Sequence, residues 1–402
     1  MNVRKVRVLI VDDSAIVRKV LTEAIATDPG IEVIATAPDA YIARDKVLAL
    51  NPDVITLDLE MPRMDGLTFL RQLMFLKPIP TIVVSAQGHA SCVATLEALR
   101  CGAVDVVAKP ASASALRDLR LTLPAIIRGA ASARPRPAID NPVTNSGVTD
   151  PPGPLIIHSP NGDAASSELH PRETAPTPRP KRMAAATRVT PVSSDFSHSL
   201  IAIGASTGGT VAIQDILTRL PADMPPILIT QHIPAGFSSA FADRLNRICA
   251  IEVREAASGD LLRPGLALLA PGDHHLVLRA TPHGLTVELD RGPEVCYLRP
   301  SVDVMFSSVA TSTAASSAIA VLLTGMGTDG ARGMFALKQA GAATIAQDEA
   351  SSVVYGMPRE AVRLGAVDTT APLSSIAPLL TRLVRSPRLT AAPESDLRES
   401  LP

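Results

Sequence analysis

At 402 residues, with 46% hydrophobic and 19% charged residues and a formal net charge of −1, the chain exceeds one ordinary core. It is too neutral to be drawn as a whole to nucleic acid or an anionic membrane. Its first apolar run meets Asp12 and Asp13 at once and no run reaches membrane-spanning length, so neither a secretory signal nor membrane insertion is expected. Cys92, Cys101, Cys249 and Cys296 form no C-x-x-C pair and read as thiols of a cytoplasmic protein.

The first third alternates strands and helices. Strands are expected at Val6–Val11, Glu32–Ala35, Val54–Leu57, Thr81–Val84 and Val104–Val107. Helices are expected at Ala15–Ala26, Ala40–Leu50, Gly66–Met74, Ser91–Arg100 and after Ala113. Five such units make a doubly wound parallel sheet with its site at the carboxyl ends of the strands. Asp12, Asp13, Asp58, Ser85 and Lys109 stand at those ends. Each alone reads as a strand-end cap. Converging carboxylates repel one another unless a cation sits among them, and hard oxygens suit Mg2+. Together the five fit phosphoryl transfer onto Asp58, with Lys109 and Ser85 holding phosphoryl oxygens.

From 129 to 197 the composition shifts. Twelve of the 35 prolines fall there and Phe196 is its only aromatic residue, so a disordered linker is expected. A second α/β domain follows over 198–386, with a flexible tail at 387–402. Its first strand, Leu200–Ile203, halts at Gly204 and leads into the helical spacing of Val211, Ile213, Ile216, Leu217 and Leu220. Strands Ile227–Thr230, Ala318–Leu323 and Thr344–Ala346 alternate with helices Ser238–Arg247, Val302–Ala314 and Ala331–Ala340. Leu276–Leu278 and Leu285–Leu289 read as an antiparallel hairpin inserted beside the parallel sheet.

Gly204-Ala205-Ser206-Thr207-Gly208 matches the G-x-S-x-G nucleophile elbow, and a glycine-rich phosphate loop fits the same residues. A serine nucleophile needs a base and a carboxylate that orients it. His232 and Asp329 follow strands and fall at the same sheet edge as Ser206; His274 and His275, beside the hairpin, are the rival bases. A nucleotide site is the competing reading of this edge.

Val11-Asp12-Asp13-Ser14, Asp58 to Gly66, Ser85-Ala86 and Ala108-Lys109-Pro110 resemble the receiver domain of response regulators, which is flavodoxin-like. The resemblance implies that Asp58 accepts phosphate from a chemotaxis histidine kinase. It implies Mg2+ held by Asp12, Asp13, Asp58 and the Glu60 carbonyl. Val106 stands where many receivers carry an aromatic switch residue.

The second domain, with Gly204 to Gly209, Gln231-His232-Ile233-Pro234, Ala270 to His275, Arg299-Pro300-Ser301-Val302-Asp303, Thr324 to Ala331, Gln347-Asp348 and Tyr355 to Pro358, is similar to the Rossmann-like catalytic domain of chemotaxis protein-glutamate methylesterases. This implies Ser206 as nucleophile, His232 as base, Asp329 as its orienter, Met326 beside the oxyanion site and Thr207 near substrate, with no cofactor for the esterase. The implied substrates are methylated chemoreceptors, demethylated and commonly deamidated in adaptation. A hydrolase with another target, or a non-enzymatic regulator, are the alternatives; no basic helix-turn-helix supports nucleic-acid binding.

Overall fold

The computed structural model describes residues 4–86, 88–110, 112–133 and 198–385. The first domain runs β1 (Val6–Val11), α1 (Ala15–Ile25), β2 (Ile31–Ala37), α2 (Ala40–Leu50), β3 (Val54–Asp58), α3 (Gly66–Leu76), β4 (Thr81–Ser85), α4 (His89–Arg100), β5 (Asp105–Ala108) and α5 (Ala113–Ala131). Its five strands are parallel in the order β2-β1-β3-β4-β5. Every position of β3 and β4 is buried, as expected of strands covered on both faces. Asp39 and Asp65 accept from backbone amides at the starts of α2 and α3, satisfying donors that a helix cannot pair internally.

The second domain continues with β6 (Leu200–Ala205), α6 (Gly209–Leu217), β7 (Ile227–Gln231), α7 (Phe237–Ile248), β8 (Glu252–Glu255), β9 (Leu266–Leu269), β10 (His275–Thr281) and β11 (Gly284–Asp290). It closes with α8 (Val302–Ala310), β12 (Ala318–Leu322), α9 (Ala331–Gln339), β13 (Ala343–Gln347), α10 (Met357–Arg363), β14 (Thr369–Ala371) and α11 (Leu373–Arg385). Seven parallel strands lie in the order β14-β13-β12-β6-β7-β9-β8, and β10 pairs with β11 as a separate antiparallel hairpin. The chain is thus two doubly wound α/β domains, one with an inserted hairpin.

Three differences from the sequence reading have physical causes. Leu266–Leu269 is a fully buried strand of the main sheet; four apolar residues hemmed by Pro264-Gly265 and Pro271-Gly272 carry too little periodicity to separate them from the hairpin. Helix α8 stops at Ala310, and a single 3-10 turn at Ala315–Ser317 precedes β12. Helix α5 runs past Pro124 to Ala131, so the linker expected at 129–197 begins within its last turn. The rest of that linker and the tail expected at 387–402 lie outside the described residues. Among the described residues no helix is long and apolar enough to cross a membrane.

The two domains share apolar packing. Helix α4 lies on α6 and α7, with Leu96 and Leu99 near Phe241 and the stem of Arg244. Glu97 of α4 pairs at this seam with Arg100 at 2.9 Å, Arg71 at 3.4 Å and Arg244 at 3.8 Å.

Candidate active site and phosphoryl-acceptor site

Strand β6 ends at Ala205, and the chain must turn sharply to begin α6. Gly208 makes the turn with φ of +76°, a conformation other residues adopt only at a cost. Gly204 permits a close approach: a Cβ there would come 2.2 Å from Val302 Cγ1 of α8. Ser206 sits between them, half-buried. Its amide donates to Thr324 O at 3.0 Å, and its carbonyl accepts from Gly209 N at 2.7 Å and Gln231 Nε2 at 2.9 Å. These bonds leave the hydroxyl as the group free to react. The Thr207 and Met326 amides donate no hydrogen bond among the described residues.

His232 follows β7 immediately. Its Nε2 lies 2.7 Å from Asp329 Oδ2, with the histidine side chain 8% and the aspartate 1% exposed. Asp329 also accepts from Ser301 Oγ at 2.7 Å, Val302 N at 2.7 Å and Asp303 N at 3.0 Å. Burial alone would raise the Asp329 carboxyl. The hydrogen bond and charge of His232, with the Asp303 amide and Ser301 hydroxyl, outweigh it and hold the group below its ordinary value. An ionised carboxylate accepting Nε2–H leaves Nδ1 as the basic nitrogen of the ring. Nδ1 is buried and has no hydrogen-bond partner; the link from His232 to the Ser206 hydroxyl is open in this conformation.

The rival histidines are occupied elsewhere. His275 Nδ1 accepts from Ser301 N at 3.1 Å and Nε2 donates to Pro293 O at 3.0 Å, so both nitrogens serve the loop before α8. His274 Nε2 accepts from Arg291 Nε at 2.7 Å.

What covers this edge comes from the first domain and left no trace in the pattern of either domain. Thr207 Oγ1 donates to Asp105 Oδ2 of β5 at 2.5 Å, and Gly208 N donates to Val104 O at 3.2 Å. Met326 packs against Gly129 of α5. Burial raises the Asp105 carboxyl above its ordinary value, opposed by the Thr207 and Val106 hydrogen bonds and by the charge of nearby His232. Ser301, Gln231 and Asp105 are thus further residues of the site. Only Ser301 left a local signal, as a capping serine before an apolar helical run.

In the first domain Asp12, Asp13 and Asp58 bring ligand oxygens within 4.8 Å of one another. Lys109 Nζ lies 2.6 Å from Asp58 Oδ2 and 3.1 Å from Asp12 Oδ2. Asp12 Oδ2 is buried and in no well-aligned hydrogen bond, which fits a hard cation among these oxygens. Burial raises the Asp58 carboxyl against the pull of Lys109. Ser85 ends β4 beside Ala108 of β5. The Glu60 amide donates to Asp58 Oδ1 at 3.2 Å, while its side chain accepts from Ser91 of α4.

Residues 201–380 match the CheB methylesterase family model and residues 8–120 the response regulator receiver domain. The chain is 47% identical over 380 residues to protein-glutamate methylesterase/protein-glutamine glutaminase 2 of Syntrophus aciditrophicus, covering 94% of this chain and 99% of that one. It is 46% identical over 387 residues to the corresponding protein 5 of Anaeromyxobacter dehalogenans, covering 96% and 98%. Among solved structures, the CheB methylesterase catalytic domain of Thermotoga maritima is 37% identical with a TM-score of 0.46, covering 46% of this chain and 99% of that one.

Proposed function

The chain belongs to the protein-glutamate methylesterase/protein-glutamine glutaminase family, and from that premise we propose how it acts on chemoreceptors. It is a phosphorylation-controlled serine hydrolase that cleaves glutamyl methyl esters and deamidates glutamines on methylated chemoreceptors in the cytoplasm. The observation that carries the mechanism is the His232–Asp329 pair with a buried, unpartnered Nδ1 beside the elbow. Ser206 Oγ attacks the ester carbonyl as His232 Nδ1 takes its proton, and Asp329 stabilises the imidazolium. The Thr207 and Met326 amides receive the oxyanion. The imidazolium then protonates departing methoxide, giving methanol, and the base activates water to release the acyl group as glutamate.

Control comes from Asp58, which accepts the phosphoryl group of a chemotaxis histidine kinase. Asp12, Asp13, Asp58 and the Glu60 carbonyl would hold Mg2+, which when bound neutralises charge on the transferring group. Lys109 moves off Asp58 to hold phosphoryl oxygens with Ser85. In the unphosphorylated protein the receiver, residues 1–128, closes the edge of the esterase domain, residues 198–386, through Asp105 and Val104.

Methanol release from methylated receptor membranes tests the chemistry. Ser206→Ala and His232→Ala should each lower the rate by several orders of magnitude, and the double variant little further, because the residues act as one unit. About 10³-fold acceleration over water should remain from the oxyanion site and binding. Additive losses, or wild-type turnover in Ser206→Ala, would remove this mechanism.

A further inference from the structure

Strand β7 reads Ile-Leu-Ile-Thr-Gln, and its last residue, Gln231, is 2% exposed. A carboxamide taken out of water costs free energy unless its donors and its acceptor are paired. Gln231 meets that demand on one side only. Its Nε2 donates to Ser206 O and to His232 O, both at 2.9 Å, while Oε1 is buried with no hydrogen-bond partner. The neighbours dictate this orientation, because two carbonyl oxygens accept from an amide nitrogen and repel an amide oxygen. An apolar side chain of the same length would fill the space without an orphaned acceptor, so packing does not account for a glutamine here.

What the carboxamide grips bears on the reaction. In a trans peptide the carbonyl and the next residue's N–H lie in one plane and point opposite ways. Ser206 O therefore shares its plane with the Thr207 N–H, and Gly325 O with the Met326 N–H. Each of these carbonyls accepts two hydrogen bonds: Ser206 O from Gly209 N at 2.7 Å and from Gln231, Gly325 O from Gly356 N at 3.0 Å and Met357 N at 2.8 Å. The second peptide lies against the first, since a Cβ on Gly325 would come 2.7 Å from Ser206 Cβ. The two amides that donate no hydrogen bond among the described residues are thus the far ends of doubly anchored peptides. Three of these anchors are backbone amides, and Gln231 is the one side chain.

We infer that Gln231 is a positioning residue for the oxyanion site: by holding Ser206 O it turns the Thr207 N–H toward the oxygen of the reacting carbonyl. This role rests on the serine-esterase reading above. The bond from Gly209 alone leaves the peptide free to rock about one contact; the second donor, carried by β7, removes that freedom before substrate arrives. Because the same nitrogen holds His232 O, the turn that carries the nucleophile and the residue that carries the base are pinned to one atom.

The test uses full-length protein with a phosphodonor and two small substrates, p-nitrophenyl acetate and its thiono analogue, in which sulfur replaces the carbonyl oxygen. Sulfur is a weak hydrogen-bond acceptor, so a well-aimed oxyanion site favours the oxygen ester. Gln231→Met keeps the length of the side chain and removes the donor. It should lower kcat for the oxygen ester about 30-fold, short of the roughly 10²–10³-fold cost of deleting an oxyanion donor outright, with KM within about twofold. The thiono ester should lose about threefold, so the oxygen-to-sulfur ratio of kcat/KM falls about tenfold. A smaller folded fraction or a misplaced base lowers both esters alike and leaves the ratio unmoved. Gln231→Asn, which draws the carboxamide back by one methylene, should shift the ratio the same way and serves if Gln231→Met does not fold. A ratio equal to wild type, or a loss confined to KM, would overturn the positioning role and leave the esterase reading intact. Wild-type protein with no preference for the oxygen ester would instead overturn the assignment of the Thr207 and Met326 amides to the oxyanion, and the role with it.

Discussion

Asp329, the proposed orienter of the base, is also a structural keystone of its edge. Its carboxylate accepts from an imidazole, a hydroxyl and two amides of α8 while 1% exposed. A carboxylate so well supplied with donors is favoured in its charged form. Its carboxyl is held below 3.8 in the folded protein, so protonation is harder folded than unfolded. The stability it contributes is complete well above pH ~3.8 and is lost as pH falls through the lower folded value. Asp329→Asn should therefore be less stable than wild type at neutral pH, and the gap should close on acidification below about pH 4. Urea unfolding midpoints across pH 2–7 would measure this; a gap independent of pH would mean the charge is not what holds the turn. Placement at this scale was only partly legible. Ser206, His232 and Asp329 each follow a strand, and parallel strands bring their ends to one edge. The amides of Val302 and Asp303 leave no mark in the side-chain sequence, because any residue can supply an N–H.

Among the elements, β6 and α8 decide whether the site is assembled. Helix α8 presents its first amides to Asp329, and Val302 packs on Gly204 of β6 close to the Ser206 turn. One contact thus sets the spacing between the Ser206 turn and Asp329. Gly204→Ala would push a methyl group into Val302 and Leu322, and overpacking of this kind costs about 1–3 kcal/mol. The variant should unfold at lower urea, and it should lose kcat beyond what its folded fraction explains. Full kcat in the folded fraction would show that β6 and α8 need not keep this spacing. Most elements could be read from alternating apolar runs, since strands covered on both faces need little else. Leu266–Leu269 and Thr369–Ala371 escaped because one is four residues long between turn signals and the other is a three-residue, mostly exposed edge strand.

At the scale of the molecule, β5 touches both sites. Lys109, next after β5, reaches Asp58, while Asp105 at its start bonds Thr207. Neither domain's sequence reveals this contact, since it joins residues 102 positions apart. A hydrogen bond to a charged group contributes about 1.5–3 kcal/mol net. Moving a closed fraction from about 99% to about 10% takes ~4 kcal/mol. In the proposed closed state the Asp105–Thr207 bond supplies part of the closure and the α4 seam the rest. Asp105→Ala should raise methanol release by unphosphorylated full-length protein about tenfold, and release should still increase with phosphodonor. A basal rate equal to wild type would mean that closure resides entirely in the seam.

The hydrogen bond between Thr207 and Asp105 also works in reverse. In the proposed mechanism the Thr207 turn cannot hold the receiver and receive an incoming receptor side chain at once, so the two compete for it. Coupling between binding equilibria is reciprocal: whatever factor a phosphoryl group at Asp58 lends to receptor affinity, bound receptor must return to the affinity of Asp58's pocket for a noncovalent phosphoryl mimic such as beryllium fluoride. A cell rich in methylated receptor would thereby draw its esterase toward the activated state before any change in kinase output, making the substrate an input to its own removal.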